Sequence, residues 1–364
     1  MNTLTFATED PSFTTQDPSF DSSLATADLE QERTWQQIVG PYARPHVGRA
    51  TLSLATSVVP FLCLWVLMYW ALDVSYLITL ALAVPAAGFL LRTYILFHDC
   101  THGSLLPGKR ANAWVGTVLG WLVFTPFGRW RYEHAVHHAT AGDLDRRFVG
   151  DVPTYTVAEY RSWSLPTRLA YRMYRNPAVM FGLGPIYAMV LEPRWAGISK
   201  PRIRRSVWVT NLALAAVVTG LCLLIGWRAF LLVEVPFVFL SGGVGIWLFY
   251  VQHQFDDVYW VRNDDWSYQD AALLGSSYLK LPKILQFFTG NIGLHHVHHL
   301  SAKIPNYNLQ RAHDQETIFH GSHTVTFMDG VRATRLKLWD EDEGRMVTWR
   351  DVRGAKKHAS PTHA

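Results

Sequence analysis

The chain has 364 residues, 49% of them hydrophobic, and a formal net charge of +4. A charge this modest, with no dense stripe of Lys and Arg, gives no indication of a nucleic-acid partner. The three cysteines, Cys63, Cys100 and Cys222, lie far apart and form no CxxC pair. This spacing argues against a disulfide framework and against a thiolate metal site.

The first part of the chain is polar and acidic. Residues 1–33 are rich in Ser, Thr and Asp and repeat the sequence DPSF, whereas a transit peptide would be basic and poor in acidic residues. We therefore predict a disordered tail over residues 1–40. Residues 41–325 are predicted to form a membrane domain, and residues 326–364 a cytoplasmic C-terminal tail.

Four apolar runs are long enough to cross a bilayer, at about residues 51–71, 74–97, 207–227 and 229–251. The links within the first pair and within the second pair are very short, so the runs are predicted to form two transmembrane hairpins. Nearly all Lys and Arg lie outside the hairpin tips. The positive-inside rule therefore predicts that both termini and the long connecting segments lie in the cytoplasm.

Two further apolar runs, 113–127 and 177–193, are each shorter than about 18 residues and need not span the bilayer. We expect them to be interfacial or re-entrant segments on the cytoplasmic leaflet. The predicted fold class is thus an all-α integral membrane protein. It has four transmembrane helices in two hairpins, two interfacial or re-entrant segments and a cytoplasmic helical cap.

Histidines are concentrated near the cytoplasmic ends of these runs. The sequences HDCTH, HAVHH and HHVHH place histidines at i and i+4, or at i, i+3 and i+4, and such positions project from one face of a helix. Together with the single histidine of YVQHQF they supply enough nitrogen ligands for two metal ions. A nitrogen-rich site of this kind suits Zn, Cu, Fe or Ni. The nine candidate ligands are His98, His102, His134, His137, His138, His253, His295, His298 and His299.

Further residues are expected to support these ligands. A ligand imidazole is usually oriented by a carboxylate that accepts its other N–H. Asp99, which directly follows His98, is the first candidate, and His296 lies about 100° off the ligand face of its helix. The acidic residues beside the histidine groups are Asp99, Glu133, Asp143, Asp145, Asp256 and Asp257.

These motifs resemble the three histidine boxes of the membrane fatty acid desaturases. The first box has the HDCxHGS form of the acyl-lipid branch, and the stretches around the other two are similar to bacterial phospholipid desaturases and to the delta-12 (omega-6) group. The likeness extends from about residue 45 to residue 320. One position departs from the acyl-CoA branch, which has Asn one helical turn before the isolated histidine where this chain has Phe249.

The resemblance implies a non-haem di-iron centre that uses O₂ to introduce a cis double bond into the acyl chain of a membrane lipid. The nine histidines would hold the two Fe ions, with Asp99 and His296 behind them. Two electrons would come from an external donor, ferredoxin or flavodoxin, because the sequence has no haem-binding HPGG motif and no set of ferredoxin cysteines. The protein would lie in the bacterial cytoplasmic (inner) membrane, with its site on the cytoplasmic side.

Other functions remain open at this stage. Histidine boxes also occur in sister oxidases (acetylenases, acyl or alkane hydroxylases, carotenoid ketolases) and separate these activities poorly. A histidine-ligated haem protein or a metal transporter is disfavoured, because the four apolar runs contain no histidine and only one acidic residue, Glu234. Basic residues that could dock an acidic electron donor, or contact lipid headgroups, are Arg202, Arg204, Arg205, Lys280 and Lys283.

An acyl chain would need an apolar tunnel that reaches the metal ions. The segment AWVGTVLGWLVFTPFG could line it, with Gly116, Gly120 and Gly128 leaving room. The same glycines are equally expected where membrane helices pack closely.

Overall fold

The computed structural model of the chain describes residues 34–197 and 200–358, with side chains described as far as residue 353. The predicted disordered tail falls mostly on residues 1–33, which lie outside the described residues. The helices are α1 (Trp35–Val39), α2 (Val47–Ala71), α3 (Tyr76–His102), α4 (Lys109–Leu122), α5 (Phe127–Thr140), α6 (Val157–Ser162), α7 (Leu165–Tyr174), α8 (Pro201–Ile225), α9 (Trp227–His253), α10 (Tyr268–Leu273), α11 (Lys283–Phe288), α12 (His295–Leu300), α13 (Asn306–Gln315), α14 (Phe327–Ala333) and α15 (Trp349–His358). The strands are β1 (Tyr155–Thr156), β2 (Tyr278–Lys280), β3 (Thr324–Thr326), β4 (Leu336–Asp340) and β5 (Arg345–Thr348).

Four helices, α2, α3, α8 and α9, are long and apolar enough to cross a membrane, with mean hydropathies between 1.8 and 2.1. They confirm the four predicted spans and form the two predicted hairpins. The turn between α8 and α9 is the single residue Gly226, whose φ of 83° lies in the region that favours glycine. Apolar side chains such as Leu223 and Leu224 are exposed on the outer face, as contact with lipid requires.

The second helix of each hairpin continues beyond its apolar run. Helix α3 extends to His102 and α9 extends to His253, so both carry candidate ligands in their last turns. Helix α3 packs against α2, α4 and α9, and its residues Ala83, Ala86 and Ala87 are buried in the main hydrophobic cluster. Small side chains let the helix backbones approach closely, and this packing fixes the position of the end of α3.

The first of the two short apolar runs folds into α4 and the turn that leads to α5. A Cβ atom on Gly116 would overlap the ring of Phe127, and one on Gly120 would lie 2.5 Å from the carbonyl oxygen of Thr125. A Cβ on Gly128 would lie 2.8 Å from Cβ of Ser206 in α8. These three glycines therefore serve close packing and do not open a tunnel.

The second short run forms two π-helices, Val179–Leu183 and Ile186–Leu191, which pack against α9. At the crossing, α9 carries Gly242, where a Cβ would lie 2.7 Å from Sδ of Met189 and 2.8 Å from Cβ of Pro185. Glycine is needed here because the two backbones come so close. Pi-helical turns occur frequently at functional sites.

Residues 327–353 belong to the fold, although the sequence predicts a tail from residue 326. Strand β4 pairs in parallel with β1 and antiparallel with β5, while β2 and β3 form a separate parallel pair. The first sheet packs on α6 and α7 through a small cluster that includes Tyr160, Tyr171 and Leu338. The sequence signal was weak because β4 and β5 are only five and four residues long.

The packing at Gly116 predicts that Gly116→Ala destabilises the protein by about 1–3 kcal/mol, the usual cost of overpacking. The matched control is Gly220→Ala in α8, because no atom lies within 4 Å of a Cβ at that position. Alanine there should be neutral or stabilising by up to about 1 kcal/mol, as in other helix interiors. Thermal unfolding in detergent measures both effects, and equal midpoints would contradict the packing role of Gly116.

Candidate metal centre

The structure brings all nine candidate histidines together from four helices. The ends of α3 and α9 carry His98, His102 and His253, and α5 and α12 carry the two triplets. The triplet spacing places each set on one face of its helix. The fold therefore brings four helix faces together around one buried region.

The nine residues divide into two groups, and within each group one nitrogen atom of every residue lies within 4.8 Å of the others. Each triplet is divided between the two groups, so histidines of the same helix contribute to different groups. The five-histidine group contains His98, His102, His134, His138 and His298. The four-histidine group contains His137, His253, His295 and His299.

The nitrogen atoms are spaced like ligands of a common ion. In the five-histidine group the Nε2 atoms of His98 and His134 are 3.0 Å apart, those of His134 and His138 are 3.1 Å apart, and those of His138 and His298 are 3.0 Å apart. In the four-histidine group, Nε2 of His253 lies 3.1 Å from that of His137. Two nitrogens bound at right angles to one metal at about 2.1 Å are about 3.0 Å apart.

Hydrogen bonds alone do not satisfy this arrangement. A ring nitrogen that donates its proton has no lone pair left to accept another. Nε2 of His134 has two close Nε2 neighbours, those of His98 and His138. Nε2 of His253 likewise lies close to those of His137 and His295. A shared cation would satisfy all these lone pairs at once.

Groups outside the cluster hold the outward nitrogens of three histidines. Nδ1 of His98 lies 3.3 Å from Oδ1 of Asp99, Nδ1 of His137 is hydrogen-bonded to Oδ1 of Asp151, and Nδ1 of His253 lies 3.1 Å from the carbonyl oxygen of Gly275. Carbonyl and carboxylate oxygens accept, so each Nδ1 carries the proton. The Nε2 lone pairs therefore point into the cluster, as metal binding requires.

Burial favours the neutral form of several of these imidazoles. Eight of the nine residues are at most 9% exposed, and His102 is the most exposed. Desolvation lowers the pKa of His134, His138, His298 and His299 well below 6.5, and the neighbouring histidines lower it further. Neutral imidazole is the form that coordinates metal.

Among the described residues, five ring nitrogens of the nine histidines are buried without a hydrogen-bond partner. Two are Nε2 of His102 and Nε2 of His299, one in each group, and the other three are Nδ1 of His138, His295 and His298. Leaving a buried polar atom unsatisfied costs about 1–3 kcal/mol, so native folds rarely do so without a reason. A coordinated metal in each group would supply the missing partner of the two Nε2 atoms, and the residues present therefore fit the two metal ions that the sequence predicts.

The two predicted supporting residues lie in different surroundings. Asp99 contacts His98, and its Oδ2 accepts hydrogen bonds of 2.7 Å from the backbone N–H and from Nδ2 of Asn306. It therefore links α3 to the start of α13. His296 is buried, but Nε2 lies 3.1 Å from Nδ1 of His313, and its ring packs on Tyr278 and Phe319 instead of on the nine histidines.

Other acidic residues named from the sequence pair with side chains outside the nine histidines. Among the described contacts, Glu133 pairs with Arg129, Asp143 pairs with Arg146, and Asp145 pairs with Arg262. Asp257 lies 3.5 Å from His323, and none of these pairs includes one of the nine histidines. Of the acidic residues named from the sequence, only Asp99 has a described contact with one of the nine histidines.

Asp151 is a site residue that the sequence analysis missed. It lies 14 residues after His137, in a loop that also provides the carbonyl oxygen of Pro153. An acidic residue at this distance carries no helical spacing that would link it to a ligand. Phe249 has a further contact: its ring centroid lies 5.2 Å from that of His137 and 5.5 Å from that of His253. It therefore covers one side of the four-histidine group.

Arg175 is a second missed residue, and it is fully buried. Its guanidinium donates to the carbonyl oxygen of Pro153 at 2.8 Å, to Oε1 of Gln254 at 2.9 Å and to the carbonyl oxygen of Leu336 at 3.2 Å. Gln254 follows His253, and Pro153 lies two residues after Asp151. One buried cation thus ties the backbone of Pro153 and the side chain of Gln254, both beside the four-histidine group, to strand β4.

An apolar cavity of about 330 Å³ reaches both histidine groups. Its walls come from α3, α5, α9 and the second π-helix, with Leu91, Ile246 and Met189 among the apolar side chains. His98 and His134 line it from one group, and His295 lines it from the other. The cavity is also lined by Arg129, which pairs with both Glu133 and Glu192.

The fold and the site together define a helical membrane protein with a histidine cluster that could hold a metal centre. Residues 74–327 match the family model described as "Fatty acid desaturase". A protein of Bacillus subtilis (strain 168) named "Fatty acid desaturase" is 46% identical over 316 residues, which cover 86% of this chain and 90% of the relative. The chain belongs to the fatty acid desaturase family and is an oxidoreductase.

More distant relatives carry more detailed names. The "sn-1 acyl-lipid omega-3 desaturase (ferredoxin)" of Synechocystis sp. is 28% identical over 234 residues, which cover 60% of this chain and 62% of the relative. The "sn-1 oleoyl-lipid 12-desaturase" of Anabaena variabilis is 26% identical over 255 residues, covering 67% and 71%. The predicted resemblance to acyl-lipid desaturases is thereby confirmed.

The contact of Asp151 with His137 predicts that Asp151→Ala weakens metal binding about 10- to 100-fold, as other outer carboxylates do. Metal per chain after dialysis against graded chelator measures this effect. Asp145→Ala is the matched control, because Asp145 pairs with Arg262 and is partly exposed. The same chelator resistance in the Asp151 variant and the wild type would contradict a supporting role for this carboxylate.

The position of Arg175 predicts that Arg175→Lys loses metal first from the four-histidine group, because one ammonium nitrogen cannot reach all three acceptors that the two guanidinium nitrogens contact. Metal content should fall towards one ion per chain while the helical circular dichroism persists. Arg172→Lys is the control from the same helix, since Arg172 is bound to the hydroxyl of Tyr160. Equal loss of both ions with loss of helix would show that Arg175 only maintains the fold.

Proposed function

We propose that this protein is an O₂-dependent di-iron desaturase that introduces a cis double bond into the acyl chain of a membrane lipid. The observation that supports this most directly is the apolar cavity that reaches both histidine groups. An apolar wall binds a hydrocarbon chain by the hydrophobic effect, and the histidines at its side give that chain access to metal. Few other ligands require both an apolar cavity and an adjacent metal site.

The chemistry requires a redox metal. An unactivated C–H bond is too strong for acid–base side chains, so the cofactor must supply the activation of O₂ and the removal of hydrogen. The nine histidines would hold the two Fe ions. In balance, CH₂–CH₂ plus O₂, two electrons and two protons gives CH=CH plus two molecules of water. Two of the four electrons therefore come from outside the substrate.

The side chains around the cluster have separate tasks in this proposal. The apolar walls exclude water and hold the acyl chain against His98, His134 and His295. Phe249 shields the four-histidine group. Asp99 and Asp151 fix the orientation of His98 and His137. A dry, preorganised site of this kind limits side reactions with solvent.

The substrate and the electron donor are proposed from the relatives together with the fold. The Synechocystis and Anabaena proteins are named for acyl-lipid and oleoyl-lipid substrates, and the first name also includes ferredoxin. We extend to this chain an acyl-lipid substrate, with the acyl chains of phospholipids as the proposed class, and ferredoxin or flavodoxin as the electron donor. The charge distribution supports a bacterial cytoplasmic membrane location with the site and both termini in the cytoplasm.

The test is the fatty acid profile of a bacterial host that expresses this chain with a ferredoxin and its reductase. Gas chromatography–mass spectrometry with double-bond derivatisation should show a new unsaturated acid and locate its double bond. His98→Ala, His137→Ala and His298→Ala should each abolish the product, because each removes a ligand. His323→Ala, at a partly exposed residue paired with Asp257, is the control and should remain active.

Other outcomes would change the conclusion. Full activity in all three ligand variants would contradict the di-metal site. Hydroxylated or acetylenic acids would assign a sister oxidase activity to the same site. An unchanged lipid profile in the presence of the donor would exclude an acyl-lipid substrate.

A further inference from the structure

We infer that Lys109, Arg131 and Lys303 form the docking surface for an acidic one-electron carrier protein, and that electrons enter the metal centre beside His102. This inference identifies where the electron donor of the proposed reaction would bind, and it rests on the proposed function. It differs from the basic residues that the sequence suggested. The argument depends on where the histidine cluster comes nearest to the surface.

His102 is the most solvent-exposed of the nine candidate ligands. The other eight histidines are at most 9% exposed, whereas His102 is only half-buried. It is the last residue of α3, and its backbone carbonyl oxygen accepts a hydrogen bond of 2.6 Å from Nζ of Lys303. An exposed side chain is thus bonded directly to the backbone of a candidate ligand.

The surroundings of His102 are positively charged. Lys303 is exposed, and Arg131 and Lys109 lie close enough for their positive charges to act on its ammonium group. Arg131 lies on the exposed face of α5, three residues before His134, and Lys109 is the exposed first residue of α4.

These three cations have no carboxylate partner within the described parts of the chain. Most other arginines near the site are paired: Arg129 with Glu133 and Glu192, and Arg146 with Asp143. Unpaired cations of one sign create a field that attracts a partner of opposite charge. An acidic partner is therefore the class that this surface fits.

A protein carrier fits this surface better than a lipid headgroup does. The reaction consumes two external electrons, and the acyl chain needs the apolar cavity, which is lined by His98, His134 and His295 and not by His102. The carrier must therefore approach from a different direction, and His102 offers one. Transient redox complexes are typically small and depend on charge. The alternative candidates Arg202, Arg204, Arg205, Lys280 and Lys283 show no described contact with any of the nine histidines.

The test compares two charge-reversed double variants of the full-length protein in nanodiscs. Arg131→Glu with Lys109→Glu reverses the patch without removing the bond from Lys303 to His102. Lys280→Glu with Lys283→Glu makes the same change in net charge elsewhere on the exposed surface. The probe is a reduced acidic [2Fe–2S] ferredoxin, titrated at low and high salt, with metal content measured for each protein.

The patch variant should show a KM for reduced ferredoxin raised at least about tenfold at low salt, within the range of electrostatic steering. Its kcat and metal content should stay near the wild-type values, and the difference should shrink as salt screens the charges. The control variant should change KM less than about twofold. A KM that rises in the control variant but not in the patch variant would overturn the inference.

Two further measurements distinguish a failure of the docking inference from a failure of the proposed function. Electrons supplied by reduced methyl viologen should support equal rates in the wild type and the patch variant, because a small reductant needs no docking surface. Absence of desaturation with either reductant in the wild type would contradict the proposed function itself. An unchanged KM for ferredoxin, with binding to phosphatidylglycerol vesicles lost, would assign the patch to lipid and overturn the docking surface.

Discussion

The structure depends on one constraint: nine imidazoles converge in a space where hydrogen bonds alone cannot satisfy their ring nitrogens. Nε2 of His134 and of His253 each face two other ring nitrogens at about van der Waals contact or closer, and a single proton serves only one such contact. Until a cation binds, the free energy gained from packing must offset the unfavourable free energy of these unsatisfied nitrogens. That requirement explains why the histidines lie on rigid helices, each held by a hairpin or by a buried polar contact, instead of on loops.

The membrane hairpins provide much of that rigidity. Helix α3 is packed on three sides, and its last turns project the first histidine box from the buried bundle. Helix α9 does the same for His253, and its neighbour Gln254 is held by Arg175. The C-terminal strands then complete the support, because the carbonyl of Leu336 is another acceptor of the same guanidinium. A buried charge of this kind is stable only when several acceptors surround it, so the clamp links distant parts of the chain.

Much of this was accessible from the sequence, for identifiable reasons. The spans were visible as uncharged runs, and the histidines were visible because their spacing has the period of a helix. The division of each triplet between two groups was not visible, since it depends on how α5 and α12 face each other. Asp151 and Arg175 have no periodic relation to a ligand. The glycines of the first short run fitted two readings equally, and only their neighbours, such as Phe127 beside Gly116, distinguish packing from a tunnel.

The two sides of the cluster have opposite physical character, and this separation suits the proposed reaction. His98, His134 and His295 border an apolar cavity, whereas His102 borders exposed cations. A hydrocarbon chain needs surroundings without water, while an electron carrier is a charged protein that approaches through water. Placing both on one face would force the carrier to compete with the substrate for access. In the proposed reaction each partner would therefore meet a different histidine, because the cavity is lined by His98, His134 and His295, whereas Lys303 is bonded to His102.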